Sequence, residues 1–232
     1  MHSLMIRRSA NLILTAATVL FAARTGNTQQ LQKGVKVHMA PTSNASPMPD
    51  ADNQDAWIVA VTADGNLYFG IDPVTPSELA DKMKSRPRRR DQNFYLKADA
   101  LASFATVRQV LVTAHEMYFD DAILLTAQSN SAAPGTVVSP QGLEVLLAPP
   151  SDSATPVVQI TKSARQEPTL QVNRRQIPQS NLKNLLTQLL QPRSEKVVVL
   201  KTDGPLSFAD VIHVVDTCHS AGAKVVLASQ AL

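Results

Sequence analysis

Two aspartates occupy matching places in two similar stretches of the chain and are the first candidates for chemistry. Asp99 lies within KADALASFA at residues 97–105, and Asp203 lies within KTDGPLSFA at residues 201–209, an offset of 104 residues. Each follows a predicted strand and precedes a predicted helix. A carboxylate in such a turn either accepts hydrogen bonds from backbone N–H groups or stands exposed at an edge where a partner binds. Both aspartates are therefore candidate partner-binding residues.

The second candidate is a run of arginines, RPRRR at residues 86–90. Such a run is either a solvated loop after a helix or a contact with an anionic surface, such as lipid head groups or a cell-wall polymer. The corresponding residues 192–196, PRSEK, are far less basic, so the fold does not require the cluster. We take Arg88, Arg89 and Arg90 as candidate partner-binding residues.

Histidines and the single cysteine are the remaining candidates. His115 and His219 recur near the ends of two predicted helices, where a histidine either interacts with the helix dipole or serves as a metal or proton site. No second metal ligand lies near them in the sequence. Cys218 is the only cysteine, which excludes an intrachain disulfide, and it lies on an apolar helix face where burial is expected.

The chain has no motif of a known enzyme class. It lacks a glycine-rich phosphate loop, a nucleophile elbow, HExxH and paired cysteines, and it has only 8 glycines among 232 residues. The net charge of +3 and the aromatic content of 4% argue against nucleic-acid binding. We therefore expect no catalytic site, no metal site and no cofactor, and we predict that the protein is not an enzyme.

The elements that position these residues follow from a duplication. Residues 34–43 recur at 142–151, and residues 124–128 recur at 226–230. A repeat of about a hundred residues has the size of a small domain and is too long for a solenoid unit. The boundaries predicted are 1–30 for an N-terminal segment, 31–128 for the first domain, 129–141 for a linker and 142–232 for the second domain.

Both copies show the same order of predicted elements. In the first, Asp64-Gly65 joins two strands in a hairpin, Thr75 and Glu78 form a capping box, and Ser103 caps a second helix. In the second, strands are predicted near 143–147, 156–161, 169–172 and 196–201, with one helix carrying Leu182, Leu185, Leu186 and Leu189 and another capped by Ser207.

The fold class predicted is α+β, an α/β two-layer sandwich. Each copy is a ββαβαβ unit after a leading strand, with helices on one face of a small mixed sheet. We expect each copy to have its own core, with Val107, Val110, Leu111, Ala114 and their counterparts Val211, Val214, Val215, Cys218 buried. The copies either associate as an intramolecular pseudo-dimer or remain independent on a flexible linker.

The N-terminus carries an export or anchoring segment. Arg7 and Arg8 precede 15 uncharged residues, Ser9 to Ala23. A signal-peptide core needs about 7–15 apolar residues and a spanning helix about 20. The segment is therefore either a cleaved signal or a short inner-membrane anchor. Both alternatives place residues 31–232 outside the cytoplasm.

These motifs, in this order and occurring twice, resemble the periplasmic domain of the ExbD/TolR family of biopolymer transport proteins. The residues that carry the resemblance are GVKV at 34–37 with Ala40-Pro41, VTADGNLY at 61–68, Glu78-Leu79, VVLKTD at 198–203, SFADV at 207–211, and residues 214–225. The resemblance covers about residues 34–128 and 142–230.

The resemblance implies a non-enzymatic subunit of an envelope transport system, single-pass in the inner membrane with its bulk in the periplasm. The implied partners are an ExbB/TolQ-like membrane subunit, a TonB/TolA-like protein and, for TolR-type members, peptidoglycan. Two features depart from the family. Ser9 to Ala23 contains no acidic residue, whereas the family's membrane helix carries a proton-relaying aspartate, and the periplasmic domain is duplicated. The alternative is a periplasmic binding module, for peptidoglycan or a partner protein, that has lost proton coupling.

Overall fold

The computed structural model describes residues 34–128, 139–147, 155–164 and 166–227. The first copy comprises β1 (Pro41–Thr42), β2 (Ser46–Pro47), β3 (Trp57–Val61), β4 (Leu67–Phe69), β5 (Asp72–Val74), α1 (Pro76–Ser85), β6 (Phe94–Ala98), α2 (Phe104–Glu116) and β7 (Asp121–Gln128). The second comprises β8 (Gln141–Leu146), β9 (Val157–Thr161), β10 (Thr169–Val172), β11 (Arg175–Ile177), α3 (Leu182–Leu190), β12 (Val197–Asp203), α4 (Phe208–Ser220) and β13 (Lys224–Leu227). Short 3-10 helices lie at Pro49–Asp52 and Gln179–Asn181.

These strands form one mixed sheet in the order β11-β10-β9-β12-β13-β8-β7-β6-β3-β4-β5. The central strands of each copy run parallel to one another, and hairpins add antiparallel strands at both outer edges. The α+β class with a mixed sheet is confirmed. The predicted units lacked β5 and β11, which extend the hairpins by a further short antiparallel strand, and the first unit also lacked the two-residue strand β2.

Alternation along the strands separates the two faces of the sheet. In β3, Trp57, Val59 and Val61 join the cluster of buried side chains that includes the helices. Ile58 belongs to a smaller cluster with Tyr95, Ile123 and Leu125 on neighbouring strands, against which Ala51 of the first 3-10 helix packs. The sheet of the first copy is thus covered by helices on one face and by the segment before β3 on the other.

The helices form a row in which α1 contacts α2, α2 contacts α4, and α4 contacts α3. The apolar positions of α2 and α4 are buried as predicted: Val107, Val110, Leu111, Ala114, Val211, Val214, Val215 and Cys218. The capping boxes at Thr75–Glu78 and Ser207–Asp210 are both present.

The two copies meet along β7 and β8, which pair antiparallel from Asp121↔Leu146 to Thr126↔Gln141. A second contact joins equivalent residues, because Ser103 and Ser207 form an antiparallel bridge. There the Phe104 N–H donates to the Leu206 carbonyl at 2.9 Å, and the Phe208 N–H donates to the Ala102 carbonyl at 2.8 Å. Reciprocal bonds between equivalent residues are the pattern of a twofold interface. Of the two alternatives that the sequence left open, the structure shows the copies associated.

The expectation that each copy has its own core is wrong. One cluster of buried residues contains side chains from both copies, including Leu124 and Leu143 of the paired strands. The reason is the continuous sheet: once β7 and β8 pair, the helices on the shared face lie against one another and bury a single apolar layer.

The leading strand predicted for the first copy is also largely wrong. Residues 34–40 are not a strand, and only Pro41–Thr42 pair with β7, at its last two residues. In the second copy the equivalent strand β8 lies parallel to β13. In the first copy, the place beside β7 that corresponds to this one is occupied by β8. Residues 34–40 therefore have no room to pair along β7.

Two predictions lie outside the described residues: the N-terminal segment 1–30 and most of the linker 129–141. In the part of the chain that the structure describes, no helix has both the length and the apolar character needed to cross a membrane.

Candidate functional site

Asp99 is held at the end of β6 by backbone N–H groups. Its carboxylate accepts hydrogen bonds from the N–H of His38 at 2.9 Å and from that of Leu101 at 3.0 Å, and Asp99 is only 6% exposed. Burial alone would raise the pKa of Asp99, but the two backbone bonds and the nearby His38 ring lower it overall. Asp99 therefore fastens residues 34–40 to the body of the protein. It is not an exposed carboxylate at an edge where a partner binds.

Asp203 differs from Asp99 although it occupies the matching place. It is exposed at the end of β12, and its carbonyl accepts a hydrogen bond from the Lys162 N–H at 3.1 Å. Gly204 follows with φ +82°, and a Cβ at Gly204 would clash with the Lys162 carbonyl. The turn is therefore set by glycine, and the carboxylate of Asp203 is available to a partner.

Arg88 fastens the loop after α1 to the end of α2. Its guanidinium lies 3.6 Å from the centre of the Phe119 ring, and Nη1 donates to the carbonyls of Met117 at 2.8 Å and Tyr118 at 3.1 Å. These bonds satisfy carbonyls at a helix C-terminus, which otherwise lack intrahelical partners. Arg88 is thus a structural residue of the first copy.

Arg89 and Arg90 are exposed beside Arg88. Arg89 lies 3.9 Å from Asp55 and 3.7 Å from Asp91, with its side chain 71% exposed. Exposed pairs of this kind contribute little to stability because water and salt screen them. Of the three predicted arginines, these two remain available for a partner.

A cavity of about 580 Å³ lies at the same end of the first copy, and we call it the cation–aromatic cavity. Trp57 and Phe119 line it together with Lys84, Arg86 and Arg88. Arg86 lies 5.4 Å from the centre of the Trp57 ring and 5.3 Å from that of Phe69, within the range of cation–π attraction. Sequence reasoning found the arginines but missed the cavity, because Trp57 and Phe119 come from distant parts of the chain.

Asp216 was also missed, and it connects the two copies. Its carboxylate accepts hydrogen bonds from the Asn44 N–H at 2.8 Å, the Ser43 N–H at 3.1 Å and the Asn44 amide group at 3.1 Å. The equivalent position in α2 is Val112, so the first copy has no such carboxylate. The sequence did contain a signal for this contact, because Asp216 is a charged residue on an otherwise apolar face of the predicted helix.

The remaining candidates are structural. His219 lies with Nε2 2.9 Å from the Glu144 carbonyl, and burial lowers its pKa, while His115 has Nδ1 3.4 Å from the Phe119 carbonyl. Cys218 is buried as predicted, which raises the pKa of its thiol to about 12. Among the described residues, no group of three or more His, Cys, Asp or Glu residues could hold a metal ion.

The fold is of the α+β class with a mixed sheet, and Asp203, Arg89 and Arg90 are exposed on it. A family model described as "Biopolymer transport protein ExbD/TolR" matches residues 16–129 and again residues 133–231. The chain belongs to the ExbD/TolR family, and the two matched segments are consistent with two copies of its domain. No curated protein and no solved structure matches the chain.

Proposed function

We propose that this protein is a non-enzymatic accessory subunit of an ExbB/ExbD- or TolQ/TolR-like envelope transport system, acting through periplasmic domains. The observation that carries the proposal is the family match over both copies. The twofold contact between the copies supports it, because the resemblance to the family implies periplasmic domains that act in pairs, and one chain then presents such a pair. Asp203, Arg89 and Arg90 are the exposed groups that we propose for partner contact.

The proposed location is the inner membrane, with one N-terminal span and the rest of the chain periplasmic. Fractionation of cells, followed by N-terminal sequencing of the mature protein, tests this. An intact N-terminus in the membrane fraction supports the anchored subunit. A soluble periplasmic form that begins after residue 23 contradicts it.

The proposed partners are an ExbB/TolQ-like membrane subunit and a TonB/TolA-like protein. Co-expression with the ExbB-like subunit of the same cell, solubilisation in detergent and affinity purification test the first partner. We expect the two proteins to elute together. Elution of the chain alone, while a known ExbD homologue retains that subunit under the same conditions, contradicts the proposal.

The second candidate function is a periplasmic binding module that has lost proton coupling. The specific observation in its favour is that Ser9 to Ala23 offers only Ser9, Asn11, Thr15 and Thr18 as polar groups, none of which titrates near neutral pH. We expect that the chain alone does not restore energy-dependent uptake in a strain that lacks its own ExbD and TolR. Restored uptake would show that protons are relayed without a membrane carboxylate and would reject this candidate.

A further inference from the structure

Tyr118 at the rim of the cation–aromatic cavity has a backbone conformation that its side chain disfavours. Its φ is +63°, in the left-handed region, and it is 86% exposed. The equivalent residue of the second copy is Gly222, with φ +76° just after α4. A left-handed residue after a helix is usually glycine, because a Cβ there is strained. The fold therefore requires glycine-like geometry at this position and gains no buried contact from the tyrosine.

The walls of the cavity are predominantly cationic. Lys84, Arg86 and Arg88 line it, and Glu116 is the single carboxylate among its lining residues. Arg86 donates one hydrogen bond, a long one of 3.4 Å to the Ala56 carbonyl, so several of its five N–H groups are available to an acceptor. Lys84 is 62% exposed and lies 4.0 Å from Asp81, which is a weak pair.

Beneath these cations the cavity is apolar, but Trp57, Met83 and Phe119 are each only 2% exposed, because Arg86 and Arg88 lie over the Trp57 and Phe119 rings. Trp57 and Phe119 form tilted ring contacts with each other at 5.6 Å, and Met83 lines the cavity beside them. Tyr118 adds an exposed ring at the edge. A ligand that fits must therefore combine negative charge for Lys84 and Arg86 with an aromatic group for the exposed ring of Tyr118.

We propose that the cation–aromatic cavity binds an acidic, aromatic-containing peptide segment of a partner protein, with carboxylates against Lys84 and Arg86 and a ring against Tyr118. The concave shape favours a peptide over a lipid surface, because lipid head groups present a flat array of charge. The second copy has Gly222 at the place of Tyr118, so only the first copy carries this exposed ring. The inference rests on one part of the proposed function, namely that this chain acts by binding partner proteins.

The test uses the protein as purified from the cell, free of other subunits. The probe is a fluorescein-labelled peptide of alternating glutamate and tryptophan. Fluorescence anisotropy measures binding to the wild type and to Tyr118→Gly and Lys84→Gln. We expect Tyr118→Gly to weaken binding by about fivefold or more, and Lys84→Gln by about threefold. Tyr118→Gly installs the residue of the second copy, so the variant is expected to fold.

The matched control is Lys183→Gln, which removes an exposed lysine from α3 of the second copy and changes the net charge equally. We expect it to bind the peptide as the wild type does. Absence of peptide binding overturns the proposal, as does equal weakening by Lys84→Gln and Lys183→Gln. Binding to phosphatidylglycerol vesicles but not to the peptide also overturns it, in favour of a lipid surface. None of these outcomes bears on co-purification with an ExbB-like subunit, so the proposed function fails or stands separately.

Discussion

At the scale of single residues, buried carboxylates hold the chain together by accepting backbone N–H bonds. Asp99 and Asp216 both bind the segment that leads into the first copy, from opposite sides of the twofold contact. The recurrence of Asp99 and Asp203 was visible in the sequence. Their different environments were not, because the bond from His38 crosses 61 residues and depends on where residues 34–40 lie.

We predict that Asp99→Asn destabilises the protein by about 1–2 kcal/mol. The amide nitrogen that replaces one carboxylate oxygen places donors against one of the two backbone N–H groups, that of His38 or that of Leu101, which then loses its acceptor. Urea unfolding followed by circular dichroism measures the change. Asp203→Asn, at the exposed matching position, is the control and should leave the free energy of unfolding unchanged. Equal losses in the two variants would contradict the structural role assigned to Asp99.

The ion pair between Lys162 and Asp210 predicts a pH dependence. Nζ of Lys162 lies 2.8 Å from Oδ2 of Asp210, with the two side chains 28% and 17% exposed. Burial alone would raise the pKa of Asp210, but hydrogen bonds from Lys162 and Ser207 outweigh it and lower that pKa. A lowered pKa in the folded state stabilises the protein above the unfolded pKa of about 4, and this stabilisation is lost as the pH falls through the lower folded value.

We therefore expect Asp210→Asn to lower the free energy of unfolding by about 1 kcal/mol at neutral pH. The difference from the wild type should shrink below about pH 4, where Asp210 of the unfolded chain takes up a proton, and continue to shrink as the pH falls through the lower pKa of the folded state. Urea unfolding of both proteins at neutral and acidic pH measures this. A difference that stays constant with pH would show that the charge of Asp210 does not contribute.

At the scale of elements, helix termini were the features that the sequence predicted best. Thr75 and Ser207 each have an acidic residue three positions later, and both capping boxes form. Ser103 has Thr106 there instead, and its side chain makes no capping bond. Ser103 occupies the N-cap position of α2 as predicted, and only the expected side-chain bond is absent. The capping-box pattern is incomplete there, because Thr106 stands where an acidic residue would reach back to the N-cap.

We predict that Tyr118→Gly stabilises the folded protein by about 0.5–1 kcal/mol. The substitution relieves the strain of a left-handed tyrosine, which exceeds the extra entropy that glycine gives the unfolded chain. Thermal and urea unfolding measure the gain. Gly222→Tyr in the second copy is the reciprocal control and should destabilise by a similar amount. A loss of stability in Tyr118→Gly would show that the exposed ring makes a contact needed for folding.

At the scale of the whole molecule, the sequence predicted the duplication and the class of fold but not the continuous sheet. Periodicity identifies the apolar faces of α2 and α4 because it depends on residues a few positions apart. The pairing of β7 with β8 depends on contacts between the copies, which no local pattern in the sequence shows. The cation–aromatic cavity escaped prediction because Trp57 and Phe119, which line it, come from distant parts of the chain.

The shared core predicts that both copies unfold together. Trp57, the only tryptophan, reports on the first copy, and Cys218, the only and buried cysteine, reports on the second. We expect tryptophan fluorescence and thiol labelling to give the same urea midpoint, as in a two-state transition. Circular dichroism provides the global comparison. Two separate midpoints would mean that the copies fold independently and that the pairing of β7 with β8 adds little to stability.

The pairing of β7 with β8 also sets an order of events while the chain is being made. Residues 121–126 are synthesised before their partner residues 141–146. At ordinary rates of synthesis, the edge of β7 therefore stays unpaired for about a second or more. During that interval the newly made first copy exposes an unpaired strand, which can join the same strand of a neighbouring nascent chain. A product that stops before residue 141 retains this open edge permanently, so premature termination is expected to yield aggregates and not a functional half-molecule.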